Sequence, residues 1–216
     1  MKYSEITENK YKYPRTLHLP WSLGITDDDK IVKSIKHFVG KEVVVTEKMD
    51  GESSTISRDY THARSLDSNH HPSRDWLKQM WGEIRHEIPE GWRICGENMY
   101  AKHSIAYESL PSYFLVFSIW DENNNALSWD DTVEWCEILG LHHVKVLWRG
   151  IWNEKIIKSL FDESAGIEGY VVRLADSFHY SNFGGSLAKF VRRNHVQTNK
   201  HWSAQQIIPN KLKQPL

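Results

Sequence analysis

Lys41-Glu42-Val43-Val44-Val45-Thr46-Glu47-Lys48-Met49-Asp50-Gly51-Glu52 decides the reading of this chain. Three valines in a row make a β-prone run from Lys41 to Glu47, and it stops at a lysine followed by an acid and a glycine. A strand end of this kind puts the Lys48 amine at the mouth of a cleft, and Gly51 lets the backbone turn tightly beneath a ligand. A free lysine has a pKa of about 10.4, so a nucleophilic Lys48 calls for neighbouring cations and partial burial to lower it. Taken alone, the four-residue pattern is a weak motif that recurs by chance, and a surface hairpin with a lysine fits it better. In both cases Ser53 to Arg58 is the return strand of the pair.

Upstream, two prolines frame the loop-like Tyr13 to Trp21, which mixes aromatic and basic residues. Thr26 then caps a predicted helix with Asp27, Asp28 and Asp29 in its first turn, Ile31, Ile35 and Phe38 on one face, and Gly40 as its stop. Downstream, Ser73 caps a helix with Trp76, Leu77, Met80 and Ile84 at helical spacing. Apolar strands follow at Trp92 to Glu97 and Tyr113 to Trp120. Ser128 and Asp131 stand at capping-box spacing for a helix from Trp129 to a stop at Gly140. Asn153 opens another through Phe161, and Glu168 to Leu174 and Ser186 to Val191 are the last strands. Strands mixed with helices, without a βαβ rhythm, predict an α+β domain of antiparallel sheets flanked by helices.

The 216 residues suit a single domain, residues 1–216, with 40% hydrophobic and 25% charged residues to build a core and a surface. A net charge of −1 excludes a bulk positive field, so any nucleic-acid binding must come from a local basic patch. Lys189 to Trp202 is one such run, with Lys189, Arg192, Arg193, His195, Lys200 and His201 interleaved with Phe190 and Trp202; a solvated basic helix face is the alternative. Ten tryptophans add stacking surfaces as well as core volume. Cys95 and Cys136 make neither a disulfide framework nor a zinc set, and no signal peptide or long apolar run appears. The expected setting is therefore reducing and cytoplasmic. His70-His71 and His142-His143 are adjacent rather than at metal-ligand spacing.

The order of the remaining polar residues carries more. Arg64 follows Lys48 by sixteen positions; Gly96-Glu97 ends one apolar strand, and Phe117 lies within Phe114 to Asp121. Glu168-Gly169-Tyr170-Val171-Val172-Arg173 and then Ala188-Lys189-Phe190 complete the set. From Glu42 to Arg193 this ordered series resembles the motifs of the covalent nucleotidyltransferase superfamily. Within it, the chain looks most like the ATP-dependent RNA ligases typified by the second RNA ligase of phage T4.

That resemblance implies an ATP-grasp-like ligase core with the nucleotide in a cleft between sheets. It implies that Lys48 forms a lysyl–AMP bond, with Asp50 and Gly51 completing its motif. Glu47 would lie against the adenine, with backbone groups of its strand end reading the base edge. Ser53 would touch AMP, Arg64 the α-phosphate or an incoming 5′-phosphate, Glu97 the ribose hydroxyls, and Lys189 the α-phosphate. Phe117 would stack on the base, sharing a strand face with Leu115 and Ile119. Glu168 would hold Mg²⁺ or Mn²⁺, and Arg173 would add positive charge. The implied substrates are ATP and RNA with 5′-phosphate and 3′-OH ends, with a protein partner as one source of end specificity.

Two departures stand out. The family's second lysine in its last motif is replaced by Val191, with Arg192 next to it on the opposite strand face. Residues 194–216 make a short C-terminal extension rather than an OB-fold domain. A small DNA ligase, a guanylyltransferase and a degenerate RNA-binding subunit stay open as alternatives.

Overall fold

The structure is a computed structural model in which residues 10–193 and 206–214 are described. The valine run forms β1 (Glu42–Glu47), and Val43, Val44 and Val45 are all fully buried. Val43 and Val45 enter a core with Leu19, Tyr170 and Val172, whereas Val44 enters another with Met49, Leu115 and Trp129. A strand covered on both faces has no polar side to alternate, hence the unbroken apolar run.

β1 lies in a four-stranded antiparallel sheet, between β8 (Val146–Ile151) and β9 (Gly169–Leu174), with β11 (Leu187–Val191) beyond β9. A larger sheet places β2 (Glu52–Ser57) between β3 (Thr61–Ala63) and β4 (Arg93–Asn98). It continues through β5 (Phe114–Trp120), β6 (Asn125–Ala126) and β10 (Phe178–His179), and β7 (His142–His143) pairs parallel with β5. Helices α1 (Asp75–Ile84) and α2 (Trp129–Ile138) cover one face of it through Leu77, Ile94, Phe114, Val116 and Cys136. The short helix α3 (Glu154–Ser159) packs Ile157 onto the smaller sheet, and α4 (Phe183–Ser186) leads into β11. The α+β architecture is the predicted one, and Ser128 and Asn153 cap α2 and α3 as read from sequence.

Four local expectations are corrected. First, β2 does not return along β1: both edges of β1 are taken by β8 and β9, so β2 joins the other sheet. The turn from Lys48 to Gly51 is thus a crossing between sheets rather than a hairpin. The edge strand β8 has no sequence forecast, because its half-exposed Trp148, Arg149 and Gly150 blur the apolar alternation.

Second, Thr26 to Gly40 is not an α-helix. Asp29 turns back on Thr26, accepting from its N–H at 3.1 Å and its hydroxyl at 2.9 Å. The backbone bonds a helix would use go to the N-terminal segment instead: His18 N–H to Lys30 O, and Val32 N–H to His18 O. Val32 is accordingly buried and Ile31 is not.

Third, Ser73 does not cap α1. It sits buried in a preceding single turn, Pro72–Arg74, that the His71 side chain caps.

Fourth, the β4–β5 register slips between Cys95 and Gly96, so that Ser118 faces Cys95, Val116 faces Gly96, and Phe117 has no partner. The extra residue reverses the alternation beyond it. Ile119 therefore joins Phe114 and Val116 under the helices, while Leu115 and Phe117 point between the sheets.

Candidate active site

At the end of β1 the Glu47 N–H bonds Lys145 O at 2.8 Å and the Lys48 N–H bonds Gly169 O at 3.0 Å. Both donors are consumed by the fold, so the strand end does not offer them to a base edge. Gly51 comes next to β4: a Cβ there would stand 2.6 Å from Asn98 O and 2.7 Å from Met99 Sδ. Close approach rather than an unusual φ makes this position glycine. Its N–H donates to Glu97 Oε1 at 3.2 Å. Asp50 faces away from the cleft, its Oδ2 accepting from the N–H groups of Ser104 at 2.7 Å and Ile105 at 2.8 Å. Its own N–H donates to the Tyr107 hydroxyl at 3.0 Å.

The crossing opens onto a cavity of about 450 Å³ between the two sheets. Glu47, Lys48, Ser53, Arg64, Glu97, Phe117, Arg173 and Lys189 all line it, and the N-terminal residues Tyr13 to Thr16 close one side. The topology explains the gathering. Ser53 and Glu97 are register partners on β2 and β4, and Lys189 and Val171 are partners on β11 and β9. The bulge turns Phe117 inward, where the Tyr13 ring meets it edge-on at 4.9 Å.

Lys48 Nζ donates to Glu168 Oε2 at 2.6 Å, with the carboxylate almost wholly buried and the lysine a quarter exposed. Burial pulls the Lys48 pKa down, but Glu168, Glu97 and Asp50 outweigh it and hold the ammonium above the usual lysine range. The expectation of a depressed Lys48 is thus overturned, because its near neighbours are acids. Lys189 is the lowered lysine, through burial and the nearby Lys48, although Asp29 pulls the other way from 3.8 Å. Burial also lowers Arg64, and Arg15 adds to it. Glu97 is pushed up to about 8 by burial, against the pull of Lys48. Near neutrality it therefore offers a donor as well as an acceptor, rather than acceptors alone. The cleft thus sets Glu97 and Glu168 about Lys48, with Lys189, Arg64 and Arg15 as its other cations.

The family model for RNA ligase matches residues 41–191, the span that holds Lys48, Glu97, Glu168 and Lys189. The chain belongs to the RNA ligase family.

No curated protein sequence matches this RNA ligase family member. Among solved structures it is similar to a protein of Aquifex aeolicus assigned as an ATP-dependent DNA ligase, at 22% identity and TM-score 0.57, over 85% of this chain and 50% of that one. It is also similar to an archaeal ATP-dependent RNA ligase, at 20% identity and TM-score 0.55, over 83% and 48%. A variant of an RNA ligase of Naegleria gruberi, solved with ATP and Mn, matches at 16% identity and TM-score 0.52, over 83% and 57%. These likenesses show a shared fold, and the chain spans about half the length of each.

Two further cations named from the sequence have most of their bonds in the fold itself. Arg173 is buried, its guanidinium donating to the carbonyls of Leu174, Phe117 and Leu127, so its bonds tie the sheets together beneath the cavity. Arg192 does not line the cleft, and its N–H is bound to Glu168 O. The family's second lysine is replaced by Val191. That position is itself buried, its N–H donating to the Ser22 hydroxyl while its carbonyl accepts from Leu23 and Gly24. The N-terminal segment thus holds the backbone at the end of β11. Of the basic run, residues 194–202 lie outside the described residues.

Sequence reasoning missed Asp29 and Tyr107, and it reached Arg15 only as part of the Tyr13 to Trp21 loop, which it expects to help grip RNA. Asp29 was read as a helix start, although its partners are His18 at 3.3 Å and Lys189.

Proposed function

We propose that this chain is an ATP-dependent RNA ligase that carries AMP on Lys48. The observation that carries the reading is the 2.6 Å Lys48–Glu168 pair at the mouth of a nucleotide-sized cavity, with Lys189 and Arg64 across from it. The RNA ligase family assignment supports it, as does the similar Naegleria structure solved with ATP and Mn.

Lys48 must lose its proton to water before it can attack, and Glu168 opposes that loss for as long as it stays paired with the ammonium. The amine then attacks the α-phosphorus of ATP, forming an N–P bond as the bond to the bridging oxygen breaks and pyrophosphate leaves. Phe117 stacks on the adenine, and Glu97 binds the ribose hydroxyls. Lys189 and Arg64 hold the phosphate oxygens in place, so that positioning and fixed charge supply most of the rate. AMP next passes to the 5′-phosphate of an RNA end, and a 3′-hydroxyl displaces it to seal the strand.

The donor set suits a hard divalent cation. Glu168 would hold Mg²⁺ or Mn²⁺, its carboxylate being the hard oxygen donor that such a cation takes. Such a cation, when bound, neutralises charge on the phosphates and competes with Lys48 for Glu168, favouring the neutral amine.

A DNA-sealing reading is favoured by one observation, the Aquifex neighbour assigned as a DNA ligase. The test is incubation with α-labelled ATP or GTP and Mg²⁺, followed by denaturing gel and intact mass. Wild type gains AMP from ATP; Lys48→Ala gains nothing. Labelling of the Lys48→Ala protein would move the nucleophile elsewhere, and no adduct on wild type would favour an RNA-binding subunit. Sealing of paired RNA and DNA substrates then decides the strand.

A further inference from the structure

Residues 206–214 lie outside the span matched by the family model, yet they reach the Lys48 turn through an unbroken series of hydrogen bonds. Asn210 is the centre of it. The residue is 4% exposed, and its amide Nδ2 donates to Met99 O at 2.8 Å and to Ala101 O at 3.4 Å. Its Oδ1 accepts from the Tyr107 N–H at 2.9 Å, its N–H donates to Tyr100 O, and its carbonyl accepts from the Tyr113 hydroxyl. Tyr107 is held from both sides, since its own carbonyl accepts from the Lys211 N–H at 2.8 Å. Residues 99–112 form no ladder of their own beyond isolated bridges, two of them to Pro209 and Leu212 of this tail. The loop thus owes its course to the tail.

The same loop holds the nucleophile's turn. The Tyr107 hydroxyl accepts from the Asp50 N–H, and the N–H groups of Ser104 and Ile105 grip the Asp50 carboxylate. Met99, whose carbonyl Asn210 binds, is the side chain against which Gly51 is pressed.

We propose that Asn210 is a positioning residue for Lys48: the tail fixes the loop, and the loop fixes Asp50 and with it the turn that presents the amine. The inference rests on the ligase reading above. Misplacing a nucleophile by about 1 Å costs on the order of a hundredfold in the chemical step, whereas nucleotide affinity depends on Phe117, Glu97 and Arg64, to which the hydrogen bonds of residues 206–214 do not run.

The test is a double-mutant cycle on the full chain with Asn210→Ala and Tyr107→Phe, read as kcat and KM for ATP in self-adenylylation. The phenylalanine keeps the ring and removes only the acceptor for Asp50. Each variant should lose about tenfold or more in kcat with KM for ATP little changed. The double variant should lose scarcely more than the worse single one, because both break the same chain of contacts. Full kcat in Asn210→Ala would overturn the proposal, and so would additive losses or a rise confined to KM. Should Asn210→Ala fail to fold, Tyr107→Phe decides alone: unchanged kcat rejects the route through Asp50. An absent adduct on wild type would instead defeat the ligase reading itself.

Discussion

Burial pushes the Glu97 carboxyl up to about 8, and Glu168 and Asp50 add to the effect against Lys48. A carboxyl raised in the folded state binds its proton more tightly there. The stability it contributes is complete below its ordinary value of 4.5 and is lost as pH rises through about 8. Glu47, also raised by burial, acts in the same direction. The thermal midpoint of the ligand-free protein should therefore fall over that window, and Glu97→Gln should flatten the fall. An equally steep fall in the variant would place the titrating group elsewhere. Gly51 provides a second test at this scale. Gly51→Ala drives a Cβ to 2.6 Å from a backbone oxygen that cannot rotate away, so the turn must shift and Lys48 with it. Adduct formation should slow by about a hundredfold while the far-UV spectrum stays that of the wild type. Wild-type rates would mean that the crossing tolerates movement.

Strand β5 shows how one inserted residue assigns roles along an element. Before the bulge, Phe114 and Val116 pack under the helices; after it, Ile119 does. Phe117 is the residue released to the cavity. Phe117→Ala should weaken nucleotide binding by roughly 1–3 kcal/mol, the value of one base–aromatic stack. Phe114→Ala should instead cost about 3–5 kcal/mol of folding stability, because it empties a core site, and leave affinity nearly intact. Nucleotide titration alongside chemical denaturation separates the two. A Phe117→Ala protein that unfolds early yet binds ATP normally would return Phe117 to the core. The N-terminal segment shows the converse case, in which Asp29 and its neighbours give up a helix to pair with His18 and stand beside Lys189.

At the scale of the molecule, a net charge of −1 is distributed so that Arg15, Arg64 and Lys189 all line the cleft. Polynucleotide binding through such a local patch releases counterions, with a log–log salt slope of about −0.7 per phosphate neutralised on a single strand. RNA sealing should therefore fall steeply between low and physiological salt, while AMP loading, confined to the cavity, changes little. Sealing that ignores salt would place the RNA grip away from this patch. No helix among the described residues is long and apolar enough to cross a membrane.

Lys48, Glu97, Glu168 and Lys189 were legible in the sequence because each stands at or within a strand whose apolar run announces itself locally, and their order matches a known series of motifs. The α+β class followed from the same runs, and the caps Ser128 and Asn153 from contacts three residues long. Tertiary structure alone decided the rest. Whether the Lys48 turn is a hairpin or a crossing depends on which strands take the two edges of β1, and those partners lie about a hundred residues away. The face of Phe117 hangs on a register slip that no period can encode. The raised pKa of Lys48 depends on Glu168, 120 positions along the chain, and the hold on its turn on Asn210, further still. Local propensity and periodicity describe how a segment can fold; only packing brings distant charges and hydrogen-bonding groups within reach of one another.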